Sequence, residues 1–140
     1  MRHTGLGLAL GAAVIALAAP AARAADELTP TQKQAIAAFT RFTVVYAGLI
    51  WETRCNTLPA AQHEAFRRQV GGQLARLNTI FDARMMNAAT GSAQTTAEGP
   101  ELAACDGKNA GMAKSFLDMA ADVDGKLAAI PPGFQMRVGP

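Results

Sequence analysis

The chain has 140 residues, half of them hydrophobic, and carries 13 Lys+Arg against 11 Asp+Glu. This length allows one hydrophobic core and excludes a TIM barrel or a complete dinucleotide-binding enzyme. Eight aromatic residues and a charged fraction of 17% argue against a disordered chain or a nucleic-acid-binding arm.

The first 24 residues are typical of a secretory signal peptide. Arg2 is followed by an uncharged apolar stretch at 6–19, then by Pro20 and the small-x-small sequence that ends at Ala24. The apolar stretch extends only about 21 Å as a helix, short of a hydrocarbon core of about 30 Å. The pattern therefore predicts cleavage after Ala24, a periplasmic or secreted protein, and no stable membrane span afterwards.

Removal of the predicted signal peptide changes the charge balance. Lys+Arg falls from 13 to 11, which equals the 11 Asp+Glu, in a mature chain of 116 residues. The basic character belongs to the signal peptide, so the sequence gives no support for a nucleic-acid partner. His63 is the one histidine that remains.

The first predicted helix, helix A, spans 30–56. Thr29 fits the N-cap, Pro30 the first helical position and Gln32 the third, which together form a capping box. The helix is apolar on nearly every side. The apolar stripe expected to face the core consists of Ile36, Phe39, Thr43, Tyr46 and Ile50.

Helix B is predicted over 59–87, with a core stripe that includes Phe66, Val70 and Leu77. The adjacent glycines at 71–72 indicate a kink or a close helix contact. Residues 89–99 have the composition of a loop.

Helix C is predicted to begin near residue 100 and to end before residue 131, with a break possible at 106–111 because Gly107 and Gly111 weaken it. Residues 131–140 are expected to form a tail. The fold class is therefore all-α, a small bundle over 25–130 with three long helices, or four if one breaks.

Two cysteines in an exported chain of this size predict one disulfide, Cys55–Cys105. With three helices arranged up-down-up, these positions lie about 40 Å apart, whereas a disulfide needs Cα atoms within about 7 Å. Either the connection at 88–101 returns along the bundle as extended chain, or helix B folds over at 71–72. The uninterrupted apolar pattern through helix B favours the returning loop.

The sequence gives little support for catalysis. One histidine and two serines, Ser92 and Ser115, leave few ways to assemble a nucleophile with a base. Zinc would need about four ligands, which one histidine and a bonded cysteine pair do not supply. We expect a non-enzymatic protein without a cofactor or metal site. The five methionines of the mature chain, which are soft ligands suited to Cu(I), leave a carrier that uses Met and His63 as an alternative.

Apolar residues occupy more of the surface of helix A than contact with a three-helix core requires. The excess apolar surface can bind a ligand or a partner. The candidate binding surface consists of Tyr46, Trp51, Glu52, Arg54 and His63. The simpler interpretation is that Tyr46 and Trp51 fill the end of the bundle. The leading hypothesis is an exported helical protein that binds a partner protein or a small apolar ligand, and a homodimer is possible.

In size, export, helical content and a bridge that closes about fifty residues, the chain resembles small periplasmic acid-stress chaperones, although its long apolar helix before Cys55 differs from them. This resemblance implies a second hypothesis. A pH- or stress-responsive chaperone would be a dimer that opens in acid and exposes apolar surface.

Overall fold

The computed structural model describes residues 27–106 and 111–136, and the predicted signal peptide lies outside them. The described residues form four helices, which are α1 (Pro30–Cys55), α2 (Ala60–Ile80), α3 (Ala83–Glu98) and α4 (Met112–Ala128). No strand occurs in these two ranges. The all-α prediction is confirmed, in its four-helix form.

Helix α1 begins as its capping signals predict. The Thr29 hydroxyl accepts from the Gln32 backbone N–H at 3.1 Å, and Gln32 Oε1 accepts from the Thr29 N–H at 2.8 Å. Both halves of the capping box are therefore present, with Pro30 at the first helical position. The helix ends where Asn56 adopts a left-handed conformation with φ of 50°.

The buried side of α1 differs from the predicted stripe by about one residue. The fully buried positions include Ala35, Ala38, Phe42 and Val45, whereas the predicted core residue Ile36 is 37% exposed. The prediction of which side of α1 faces the core is wrong, because a helix that is apolar on every side has no periodic pattern that identifies its buried side. The alanines face inward and leave larger aliphatic side chains outside.

The prediction of one helix over 59–87 is wrong. Phe81 is extended, with φ −110° and ψ 152°, and Asp82 starts a new helix because its side chain accepts from the Met85 N–H at 2.8 Å. The predicted loop at 89–99 is also wrong, since α3 continues to Glu98. Small residues every three or four positions form its buried stripe after Met86, namely Ala89, Ala93 and Ala97.

Gly71 and Gly72 do not interrupt α2 and do not make the close contact suggested by the sequence. Both lie inside α2, are exposed, and have open space around the position a Cβ would take. The close helix contact occurs instead at Gly48 in α1. A Cβ there would overlap the ring of Phe116, so Gly48 lets α1 and α4 approach closely.

The helices run up, down, up and down, and α1 contacts all three others. Helices α3 and α4 lie on either side of α1 with weak contact between them. The antiparallel pairing of α1 with α4 is visible at both ends, because Gly48 lies beside Phe116 and the Gln34 amide donates to the Lys126 carbonyl at 3.5 Å.

This topology explains how the predicted disulfide forms. Cys55 and Cys105 are bonded with Cα atoms 5.3 Å apart. Neither an extended loop nor a fold at 71–72 returns the chain, because α3 itself runs back along the bundle. The connection after α3 therefore lies at the same end as the α1–α2 connection.

Helix α4 is shorter than the predicted helix C, because residues 100–106 are not helical and Gly111 is the N-cap. The predicted break at 106–111 falls partly on 107–110, outside the described residues. After α4 the chain packs back on the bundle. The Met136 N–H donates to the Ile80 carbonyl at 2.8 Å, and Phe134 packs against the core.

Candidate functional site

The end of the bundle around Trp51 contains most of the residues that the sequence analysis singled out. Trp51 is fully buried, and its ring centroid lies 6.0 Å from that of Phe116. Its indole Nε1 donates to the carbonyl of Ala104 at 3.4 Å. Tyr46 is half-buried one turn earlier on α1, with its ring 5.7 Å from Phe42. The simpler interpretation, that these two rings fill the bundle end, agrees with this packing.

Glu52 is also fully buried, which is costly for a carboxylate unless it is hydrogen-bonded. Its Oε1 accepts from the Leu58 N–H at 2.6 Å, and its Oε2 accepts from the Thr57 hydroxyl. His63 Nδ1 lies 3.8 Å from Oε1 and has no hydrogen-bond partner. The carboxylate thus holds the α1–α2 corner to the end of α1, with the imidazole of His63 beside it.

Arg54 has an exposed side chain whose guanidinium reaches across to the chain after α3. Both terminal nitrogens donate to the Ala97 carbonyl at 3.3 Å, and Nη2 also donates to the Leu102 carbonyl. Together with the disulfide and the Trp51–Ala104 hydrogen bond, these contacts hold residues 99–106 over the end of the bundle. We call residues 99–106 the covering segment.

The five predicted surface residues therefore lie at one end of the molecule but mainly make internal contacts. Trp51 is inaccessible beneath the covering segment, and Glu52 is inaccessible behind the α1–α2 corner. Sequence reasoning missed this segment because residues 100–106 were assigned to helix C. The signal that identifies it is Cys105, since its bond to Cys55 requires the surrounding chain to lie against the end of α1.

The methionines lie mostly in or against the hydrophobic core. Met86 is buried, and the others in the described ranges are partly buried and packed on it, namely Met85, Met112, Met119 and Met136. No group of three or more His, Cys, Asp or Glu side chains suitable for a metal occurs within 27–106 and 111–136. The methionine positions thus agree with core packing.

A second candidate site lies on the side of α1 that points away from the core. Val44 is 41% exposed and Ile36 is 37% exposed. We call this side the outer face of α1, formed by Ile36, Ala37, Thr40, Arg41 and Val44. Beside it an open groove of about 450 Å³ is lined by the last four of these residues and by Met119 and Lys126 of α4.

The apolar character of α1 extends well beyond its buried side. In the described part of the chain, α1 is the one helix long and apolar enough to span a membrane, by length and composition alone. Only 39% of its most apolar window is buried in the fold. The core helix of a globular protein passes the same test, and α1 contacts the three other helices. What distinguishes α1 is the amount of apolar surface that it leaves uncovered.

Two cations border the groove. Arg41 Nε lies 3.2 Å from Asp122 Oδ2, and Lys126 Nζ lies 3.3 Å from Asp122 Oδ1. One carboxylate is thus shared by two cations, which leaves one positive charge in excess at the rim. The ion pairs are partly exposed, so they contribute little to stability.

A longer groove between α2 and α4 consists of two adjoining hollows of about 480 and 520 Å³. Its polar groups are already used to join the two helices. The Gln69 and Gln73 amides donate to the Asp124 carboxylate at 2.7 and 2.9 Å, and Gln73 also donates to the Ala120 carbonyl. Arg76 donates to the Ile130 carbonyl at 3.1 Å. These contacts indicate a structural role for this groove.

Four-helix bundles host many unrelated functions, so the fold class alone assigns none. No family model, curated protein or solved structure matches this chain. The features of the molecule that bear on its function are the outer face of α1 and the covered end of the bundle.

Proposed function

We propose that this chain is an exported, non-enzymatic protein that binds a partner protein through the outer face of α1. The observation that carries the proposal is the uncovered apolar surface of this helix. Val44 and Ile36 remain exposed beside an open groove, although α1 is otherwise the central helix of the bundle. Isolated exposed aliphatic residues are ordinary, but here Val44 lines a groove with Ala37 and Met119, and Ile36 is exposed on the same side of the helix.

The shape of the groove favours a protein partner over a small apolar ligand. Small-molecule sites are concave and bury most of the ligand surface. The α1–α4 groove is open to solvent along one side and is lined by short side chains such as Ala37 and Thr40. A surface of this kind fits the ridge of a partner element better than it encloses a free ligand.

Export is part of the same proposal. The Cys55–Cys105 disulfide is compatible with an oxidising compartment such as the periplasm or the extracellular space. The sequence pattern of residues 1–24 supports secretion independently. Detection of the cleaved chain in the periplasmic or culture fraction by intact-mass measurement tests this part.

A second candidate, an acid-responsive chaperone, is favoured by one observation. Glu52 is a fully buried carboxylate that lies 3.8 Å from His63 Nδ1, and it holds the corner beside the covered end. The candidate predicts that acid increases the binding of an apolar fluorescent dye and changes the sedimentation rate. Dye binding and a sedimentation rate that are the same at neutral and at acidic pH would exclude this candidate.

The leading proposal is tested by mapping where an apolar probe binds. The ¹⁵N-labelled mature protein is titrated with octyl glucoside below its micellar concentration, and amide shifts are followed. We expect saturable shifts at Ile36–Val44 and around Met119. The substitution Val44→Gln should weaken them. Ala75→Gln, at an exposed position of α2, is the matched control and should leave them unchanged.

Shifts confined to the groove between α2 and α4 would place the apolar site elsewhere and contradict the proposal. Shifts spread evenly over the surface would also contradict it, because they indicate non-specific adsorption of the detergent.

A further inference from the structure

We propose that the partner element recognised by the outer face of α1 is an acidic amphipathic helix. This inference rests on the proposed function and adds the chemistry of the partner. It follows from the spacing of the exposed residues and from the charge at the rim of the groove.

Two exposed aliphatic side chains, Ile36 and Val44, form a ridge on α1 with Thr40 between them. Ile36, Thr40 and Val44 are four residues apart, so their side chains lie along one line on α1. The line is about 12 Å long at 1.5 Å per residue. Ridges of this spacing pack into the groove between side chains of a second helix. About two turns of a partner helix therefore match the ridge, with apolar residues three or four positions apart.

The charges beside this ridge indicate which residues should lie on either side of the partner's apolar stripe. Arg41 and Lys126 share the single carboxylate of Asp122, at 3.2 and 3.3 Å. Lys33, exposed one turn before Ala37, adds a further cation on the same side of α1. Carboxylates on either side of the partner's apolar stripe would complement this rim, and lysines there would be repelled.

The same charge pattern disfavours a second copy of this chain as the occupant. In a two-fold dimer a surface patch faces itself. The excess positive charge around Arg41 and Lys126 would then face the same excess on the other copy. A partner of opposite charge avoids this repulsion and also associates faster.

The experiment compares two synthetic helical peptides of about four turns. Both carry leucines at the same helical spacing, and the flanking residues are all glutamate in one peptide and all lysine in the other. Affinity for the mature protein is measured by isothermal titration at low and at moderate salt. Arg41→Gln is tested against Arg68→Gln, which removes the same charge from the exposed side of α2.

We expect the glutamate peptide to bind at least about tenfold more tightly than the lysine peptide at low salt, with a smaller ratio at moderate salt. Arg41→Gln should lower the affinity for the glutamate peptide about threefold or more, whereas Arg68→Gln should have no comparable effect on that affinity.

Equal affinities for the two peptides would overturn the charge inference and leave the proposed function intact. Failure of both peptides to bind would overturn both. If the free protein sediments as a dimer that either peptide dissociates, a second copy of the chain binds the outer face of α1. That result would overturn the proposal of an acidic partner.

Discussion

The substitution Gly48→Ala tests the packing between α1 and α4. The added Cβ would lie closer than 3.0 Å to three ring carbons of Phe116, the farthest of them at 2.7 Å. The ring has little room to move because Phe116 is buried and lies against the fully buried Trp51. The two helices must therefore separate locally, and the core between them must repack.

The magnitude follows from two opposing contributions. Overpacking of a core of this kind costs about 1–3 kcal/mol. Replacing glycine by alanine inside a helix contributes about 1 kcal/mol in the other direction. We expect Gly48→Ala to lose up to about 2 kcal/mol of unfolding free energy, measured by urea denaturation and far-UV circular dichroism.

Gly72→Ala is the matched control, because Gly72 lies inside α2 with open space around the Cβ position. It makes the same chemical change without the overlap, so it should raise stability by about 0.5–1 kcal/mol. A Gly48→Ala protein as stable as the Gly72→Ala protein would refute the close approach of α1 to α4.

Three further predictions concern the covered end and α2. Glu52→Gln should lower the unfolding free energy by about 2–4 kcal/mol, since buried donors lose a charged acceptor, and urea titration measures the change. Reduction of the disulfide by dithiothreitol should cost about 4 kcal/mol and shift the emission of Trp51 to the red, whereas unchanged emission would show that the covering segment stays in place. The hydrogen bond from Arg67 lowers the pKa of Glu64, so its stabilisation is present above the unfolded-state pKa and is lost as the pH falls through the folded-state pKa. The small difference in urea midpoint between wild type and Glu64→Gln should therefore vanish in acid, and a difference that grows would contradict this.

The parts of the fold with local chemical signals were predictable from sequence. The capping box at Thr29 indicated the start of α1, and two cysteines in a short chain with a predicted export signal indicated the disulfide. The stripe through Phe66, Val70 and Leu77 identified the buried side of α2 because polar residues cover its other side.

The missed parts depend on contacts between distant residues. Helix α3 is rich in alanine and threonine, and its buried stripe of small side chains provides no strong periodic signal. The break before it depends on Asp82, whose capping role competes with an apolar pattern that continues to Met85.

The candidate site was missed for a related reason. The sequence located excess apolar surface on helix A, but it could not show which side of the helix would face the core. The structure covers Trp51 with the covering segment and leaves Ile36 and Val44 outside. The binding surface that we propose therefore lies earlier on the helix than the one predicted from the sequence.

The most direct test of the central claim is the effect of Val44→Gln on the dissociation constant of the glutamate peptide. Val44 is 41% exposed, so the substitution removes an apolar contact from the outer face of α1 while the core stays intact. Binding through the outer face of α1 predicts that Val44→Gln lowers the affinity about tenfold or more, and that Ala75→Gln has the affinity of the wild type. A Val44→Gln protein that binds the peptide as tightly as wild type would contradict it.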